Sequence, residues 1–181
     1  MLDFPHDYTV VADGELPRGP GMAPVIEFAR GTSASAPHHC LVAASRGSVR
    51  WTGRFAGDYE EPPAISFVSS SPDLATAFIS CAGTGYRVDM GRPERFEIID
   101  CFPICSVHAV MTANLILFGN FTDVVAYGAD GVLWEARGLV SDDLAIDGSD
   151  RELVNVSGVN AAVGESVRIA LDIHSGRAMS S

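Results

Sequence analysis

The sequence predicts an all-β fold assembled from successive antiparallel hairpins. Residues 115–118 form an apolar run of strand length, and residues 124–127 contain the β-branched and aromatic side chains that strands favour. The Ala-Asp-Gly tripeptide at residues 129–131 readily takes the positive φ angles of a tight hairpin turn. Residues 132–134 then form the return strand.

A second hairpin is predicted in the first third of the chain, where residues 40–45 and 48–52 face each other across Arg46-Gly47. Strand-length runs of apolar and alternating residues between turn signals predict further strands, about fifteen in all. These further strands are expected at residues 8–12, 24–29, 64–68, 86–89, 95–100, 104–110, 144–146, 152–157 and 166–172.

The segment at residues 69–81 allows two interpretations. A serine followed by a proline and an aspartate could cap a helix running through Leu74, Phe78 and Cys81. Against a helix, residues 76–81 end at a Gly-Thr-Gly turn and lead directly into another strand-like segment, as the arms of a hairpin would. We predict a strand.

Four short segments recur at spacings of roughly 35–46 residues, close to the ~40–45 residues of a four-stranded propeller blade. They are VRWT at residues 49–52, YRVD at 86–89, VLWE at 132–135 and IALD at 169–172. The recurrence favours a small propeller-like repeat architecture, with a two-sheet β-sandwich or an open meander as the alternatives.

Two segments carry a resemblance to known proteins. They are FTDVVAYGADGVLW, followed by LVSDDLAI, and the closing ALDIHSGR. Both resemble segments of bacterial proteins with propeller-like β-repeats that end in an aspartate and a D-x-x-x-G-R turn. The resemblance implies the repeat fold, without implying an activity.

Length and charge limit the possible functions. The chain of 181 residues suits a single β-rich domain over residues 1–181, with residues 1–7 and 177–181 loose. The net charge of −11 disfavours nucleic-acid binding, because phosphate contacts need clustered cations, and it suits a basic protein partner. All twelve basic residues are arginine, which excludes lysine chemistry such as a Schiff base.

The N-terminal segment MLDFPHDYTVV lacks a basic region followed by an apolar core, and no window reaches the roughly 18 apolar residues of a membrane helix. We therefore expect a cytoplasmic protein that does not bind membranes. Four cysteines, Cys40, Cys81, Cys101 and Cys105, are too few for a disulfide scaffold in a chain of this length, so we expect free thiols.

A metal site is the first candidate for chemistry. Cys101, Cys105 and His108 lie close in sequence, and His38 and His39 offer a second group of ligands. A C-x3-C spacing that includes a proline does not match a zinc site, and strand alternation would turn Cys105 and His108 to opposite faces. We therefore predict inert thiols and a surface histidine pair, and no bound cofactor.

An acidic segment is the second candidate, because oxygen-rich loops can hold Ca²⁺. Asp143 and Asp147 stand in the wrong register for a calcium-binding loop, so we predict a solvated turn. The acidic residues of this segment are Asp142, Asp143, Asp147, Asp150 and Glu152.

A hydrolytic site is the third candidate. The sequence has no G-x-S-x-G motif, and although residues 33–39 hold two serines and the histidine pair, adjacency in sequence does not supply the geometry of a triad. The neighbouring Glu60 and Glu61 would rarely point the same way, and residues 83–85 lack the third glycine of a phosphate-binding loop.

A binding surface at the loop tips remains. Long connections, where partner contacts concentrate, are predicted at residues 16–22, 31–37 and 53–63. In the last of these, Arg54, Phe55 and Tyr59 have the composition of an interface. Tyr127 and Trp134 are expected to be packing residues of the central hairpin, although an aromatic ligand platform is an alternative.

We therefore expect a non-enzymatic interaction or inhibitory module that binds a partner protein through its loop tips. One alternative is a hydrolase or metal-dependent enzyme. Another is a β domain that binds a small ligand, with Trp51 or Trp134 in its pocket.

Overall fold

The computed structural model of the protein describes residues 4–12, 23–30, 36–59 and 61–179. These residues form fifteen β-strands and a single 3-10 turn at Met111–Ala113, which confirms the all-β prediction. Within the same residues, no helix is long and apolar enough to cross a membrane.

The strands form four sheets, which follow one another along the chain. The first contains β1 (Thr9–Ala12), β2 (Val25–Phe28), β3 (His38–Arg46) and β4 (Val49–Gly57). The second contains β5 (Phe67–Ser70), β6 (Thr76–Cys81), β7 (Thr84–Asp89) and β8 (Phe96–Ile98). The third contains β9 (Ser106–Val110), β10 (Leu115–Gly119), β11 (Val124–Gly128) and β12 (Gly131–Ala136). The fourth contains β13 (Asp142–Ser149), β14 (Leu153–Asn160) and β15 (Glu165–Asp172).

Local turns explain most of this topology. The last three sheets are antiparallel meanders in which each strand pairs with the next along the chain. Both predicted hairpins are present, and glycines at φ angles of 58° and 123°, Gly47 and Gly131, lie in their turns. The first sheet differs, because its spatial order is β1-β3-β4-β2 and β2 runs parallel to β4.

The sheets pack face to face in chain order, since an apolar layer lies between each successive pair. The layer between the first and second sheets contains Phe28, Trp51, Phe55, Ile79 and Tyr86. The layer between the second and third contains Phe78, Ile116, Phe118, Val125 and Tyr127. The layer between the third and fourth contains Leu117, Val124, Trp134, Val156 and Leu171.

Double-sided burial explains the ambiguous segment. Every residue of β6 is buried, with Ile79 facing the first sheet and Phe78 facing the third. A strand covered on both faces has no polar side to alternate with, so its sequence loses the two-residue period that identifies a half-buried strand. The predicted strand at residues 76–81 is confirmed.

The recurring four-residue segments fall once in each sheet, on β4, β7, β12 and β15. Their spacing therefore follows the succession of sheets, although β12 is the last strand of its sheet and β7 the third of four. The described residues form four sheets, so the two-sheet sandwich is not the architecture observed.

The two segments that carry the resemblance contact each other. The Nε1–H of Trp134 donates to the carbonyl of Ile173 at 2.8 Å. In the adjoining turn, Asp172 Oδ1 accepts from the backbone N–H of Ser175 at 2.8 Å, and Gly176 has φ +68°. A Cβ at Gly176 would lie 2.8 Å from the indole Cδ2, so a glycine is required for this close approach.

β4 and the two ends of the chain extend the ordered structure beyond what was predicted. β4 continues to Gly57, so the predicted connection at residues 53–63 begins only after that residue. Phe4 is buried and its N–H donates to Ser70 Oγ at 2.8 Å, so the chain is anchored from residue 4, within the segment expected to be loose. Ala178 pairs with Leu171, which anchors the other end; residues 1–3 and 180–181 lie outside the described ranges.

Candidate functional site

The connections between successive sheets meet at one end of the stack. Because the second and third sheets each contain four antiparallel strands, the chain leaves each sheet at the end where it entered. Residues 58–59 and 61–66, 99–105 and 137–141 therefore lie at this end, together with the β10–β11 turn at residues 120–123.

Three half-buried aromatic rings meet here, because Tyr59 contacts both Phe102 of the next connection and Phe121 of the β10–β11 turn. The ring centroid of Tyr59 lies 6.1 Å from that of Phe102 and 6.0 Å from that of Phe121, at interplanar angles of 89° and 61°. The guanidinium carbon of Arg30, just beyond β2, lies 4.9 Å from the centroid of Phe102. We call these four residues, Arg30, Tyr59, Phe102 and Phe121, the aromatic end.

Backbone contacts hold Tyr59 in place. The N–H of Asp58 donates to Thr84 Oγ1 at 3.3 Å, and the N–H of Tyr59 donates to the carbonyl of Ala82 at 3.1 Å. The chain can approach the β6–β7 turn this closely because the preceding residue is Gly57. A Cβ there would lie 2.7 Å from the Cβ of Ala82 and closer still to the Cys81 carbonyl oxygen.

A side-chain cap shapes the turn that carries Phe121. Asn120 Oδ1 accepts from the backbone N–H groups of Thr122 and Asp123 at 2.8 and 2.7 Å. The carbonyl of Phe121 accepts from the N–H of Leu144 at 3.1 Å. The turn is therefore tied both internally and to the fourth sheet.

Arg137 joins three carboxylates beside this turn. Its guanidinium lies 3.0 Å from Asp100, 3.3 Å from Asp123 and 2.9 Å from Glu135. Burial tends to raise the pKa of Asp123, but hydrogen bonds from the Gly138 N–H and from neighbouring side chains outweigh it, so the pKa is lowered. The Asp123 carboxylate is thus an anchor for the connection to the fourth sheet.

Acid is expected to destabilise the protein through Asp123 and Asp73. Burial tends to raise the pKa of Asp73, but hydrogen bonds from Ala75 and Thr76 outweigh this effect, so this pKa is lowered as well. Each carboxylate stabilises the fold fully above the ordinary value of 3.8, and this contribution is lost as the pH falls through the lower folded pKa. The free energy of unfolding, measured with urea, should therefore decrease as the pH is lowered below the ordinary carboxyl pKa of 3.8. Asp123→Asn should flatten this dependence; a profile parallel to that of the wild type would contradict it.

Three of the residues predicted for binding lie inside the protein. Trp51 Nε1 donates to the carbonyl of Met90 at 3.1 Å, and Phe55 stacks on Phe28 with centroids 4.2 Å apart. Trp134 and Tyr127 are both buried, as expected of packing residues, but in different layers. In the folded structure these four side chains contribute to the apolar layers between the sheets.

Of the other two residues predicted for binding, Arg54 and Tyr59, only Tyr59 belongs to the aromatic end. Arg54 projects from the other face of β4, opposite to Phe55, and forms a 3.6 Å ion pair with Glu27. Sequence reasoning missed Phe102, Phe121 and Arg30. In the sequence, Phe102 stands next to a proline and Phe121 follows Gly-Asn, and neither pattern indicates that the two rings lie near Tyr59.

The predicted cysteine and histidine ligands lie apart. Cys101 is buried between the second and third sheets, whereas His108 contacts Ser149 Oγ of the fourth sheet at 3.0 Å. His38 and His39 begin β3. Burial raises the pKa of Cys101 to about 12 and that of Cys105 to about 11, so both remain protonated near neutral pH.

The acidic segment is only partly the solvated turn that was predicted: Asp150 and Glu152 lie in the exposed turn between β13 and β14, whereas the other three acidic residues are exposed on β13. Asp142, Asp143 and Asp147 lie on β13, which continues to Ser149. Asp147 Oδ1 accepts from Ser157 Oγ at 2.9 Å. Among the residues that the structure describes, no three His, Cys, Asp or Glu side chains are grouped to hold a metal ion. Ser33, Ser35 and Glu60 lie outside the described ranges.

An open groove of about 860 Å³ lies on the fourth sheet, away from the aromatic end. Its polar lining includes Asp147, Asn155 and Arg168. These residues offer a carboxylate, an amide and a guanidinium, without a nucleophile beside a base.

Comparison of the sequence with models of known protein families and with curated proteins finds no match. The fold and the site themselves define the class: a multi-sheet, all-β protein whose connections between sheets meet in an aromatic end.

Proposed function

We propose that the protein is an interaction module that binds a basic partner protein through the aromatic end. The observation that carries the proposal is the meeting of Tyr59, Phe102 and Phe121, from three separate connections, beside the exposed Arg30. Protein interfaces are enriched in aromatic residues, which often contribute most of the binding energy.

Charge supports a basic partner. Exposed carboxylates flank two of the rings in sequence: Asp58 and Glu61 beside Tyr59, and Asp100 beside Phe102. The side chain of Asp100 is 78% exposed although it contacts Arg137. Together with the net charge of −11, this acidic rim would steer a basic surface towards the rings.

The anchoring of the rings supports direct binding without rearrangement. Tyr59 and Phe121 are each held by backbone hydrogen bonds to a neighbouring turn or sheet. Side chains that are already positioned lose less conformational entropy when a partner docks. A preorganised aromatic surface of this kind suits an inhibitory or scaffolding role.

Photo-crosslinking in the host organism tests the proposal. Phe121 is replaced by p-benzoylphenylalanine, and the matched control carries the same group at Leu74, which is 56% exposed in the β5–β6 connection at the opposite end. We expect a protein adduct from position 121 and none from position 74. Tyr59→Ala should then reduce the adduct about 30-fold, since a central aromatic contact is typically worth about 2 kcal/mol. Equal adducts at both positions, or no adduct at position 121, would contradict the proposal.

A further inference from the structure

We infer that the aromatic end accepts an arginine side chain of its partner, and that Arg30 of the protein itself occupies this position in the free state. The inference rests on the proposed function and names the chemistry of the contact. It begins from the position of the Arg30 guanidinium, 4.9 Å from the centroid of the Phe102 ring. This distance lies within the roughly 6 Å limit for cation–π attraction.

Ring geometry leaves room for such a cation. Tyr59 meets Phe102 at 89° and Phe121 at 61°, so these rings contact edge to face. Stacked rings would cover each other's faces, whereas steeply inclined rings leave faces available. The negative face of a ring attracts a guanidinium, and the planar guanidinium can lie flat against it.

Arg30 is held weakly compared with Arg137. Arg30 is exposed, and among the residues that the structure describes no carboxylate forms an ion pair with it. Arg137, by contrast, contacts Asp100, Asp123 and Glu135. An exposed cation–π contact changes an equilibrium by only about 2- to 5-fold, so a second guanidinium can replace Arg30.

The surroundings favour a guanidinium from the partner. Asp100 lies two residues before Phe102, and its exposed carboxylate already contacts one guanidinium, that of Arg137, at 3.0 Å. An arginine side chain of the partner placed on Phe102 would contact the ring face and would also be attracted by the acidic rim. Arg30 would then act as an internal competitor, and the apparent affinity would rise with the fraction of molecules in which it has left the ring.

A peptide titration followed by NMR tests this inference. The probes are acetyl-Gly-Arg-Gly-amide and the same peptide with citrulline, the neutral isostere of arginine, and the readout is the shift of the Tyr59, Phe102 and Phe121 ring protons. The proteins are the wild type, Arg30→Ala and the matched control Arg54→Ala, which removes an equal charge from the first sheet outside the aromatic end. We expect Arg30→Ala to bind the arginine peptide about 2- to 5-fold more tightly than the other two, and all three to bind the citrulline peptide more weakly.

Several outcomes would overturn the inference. These are equal affinities of Arg30→Ala and Arg54→Ala, equal binding of the two peptides, and no binding to any of the three proteins. Phe102→Leu should abolish the preference for arginine over citrulline, and retention of that preference would also overturn it. The adduct at position 121 distinguishes the inference from the proposed function. If the adduct forms but Arg30→Ala does not bind the arginine peptide more tightly, only the inference is overturned. If no adduct forms, the proposed function is overturned.

Discussion

Replacing Phe78 by alanine is expected to lower the free energy of unfolding by about 3–5 kcal/mol. Phe78 is completely buried on β6. Its ring centroid lies 5.0 Å from that of Phe118 and 5.4 Å from that of Tyr127, and both contacts are edge to face. Sheets cover β6 on both sides, so the structure cannot easily close the cavity that the substitution leaves. Urea unfolding monitored by far-ultraviolet circular dichroism measures the loss.

Leu74→Ala is the control for this prediction. Leu74 lies two residues before β6, and more than half of its surface is exposed, so its truncation should change the unfolding free energy by no more than about 0.5 kcal/mol. Since domains of this size are stable by about 5–15 kcal/mol, the Phe78 variant should unfold at a much lower urea concentration. Similar midpoints for the two variants would show that the second and third sheets do not share a packed layer.

Gly57→Ala is expected to destabilise the protein by about 1–3 kcal/mol and to weaken partner binding at the same time. The added methyl would overlap the backbone of the β6–β7 turn, which cannot rotate away as a flexible side chain can. To relieve the overlap, the end of β4 must move from Ala82 and take Tyr59 with it, away from Phe102. Urea unfolding measures the first effect, and the yield of the adduct at position 121 measures the second.

Gly91→Ala provides the matched control. A Cβ at Gly91 would come closest to Arg46 Nη1, at 3.3 Å, and this atom is the far end of a flexible side chain that can shift. We expect stability close to that of the wild type and an undiminished adduct. If the Gly57 variant matched it in both measurements, the close approach of β4 to the turn would not be what positions Tyr59.

The sequence predicted those features of the fold that depend on neighbouring residues. Tight two-residue hairpin turns favour residues that can adopt positive φ angles, as Gly47 and Gly131 do, so both hairpins could be located from the sequence. The order β1-β3-β4-β2 could not be predicted, because β2 does not pair with β3, the next strand along the chain, but with β4. No local pattern specifies a parallel partner more than twenty residues away in sequence.

The sequence by itself thus determined that the chain forms strands and where most of its reversals lie, while the tertiary structure decided which side chains are accessible. Arg54 and Phe55 are neighbours in sequence, but alternation along β4 turns one outward and the other into the layer against the second sheet. Tyr59 becomes part of a site only because the connections carrying Phe102 and Phe121 return to the same end of the stack. Burial depends on what packs against a residue, and that is a property of contacts between segments that are distant in sequence.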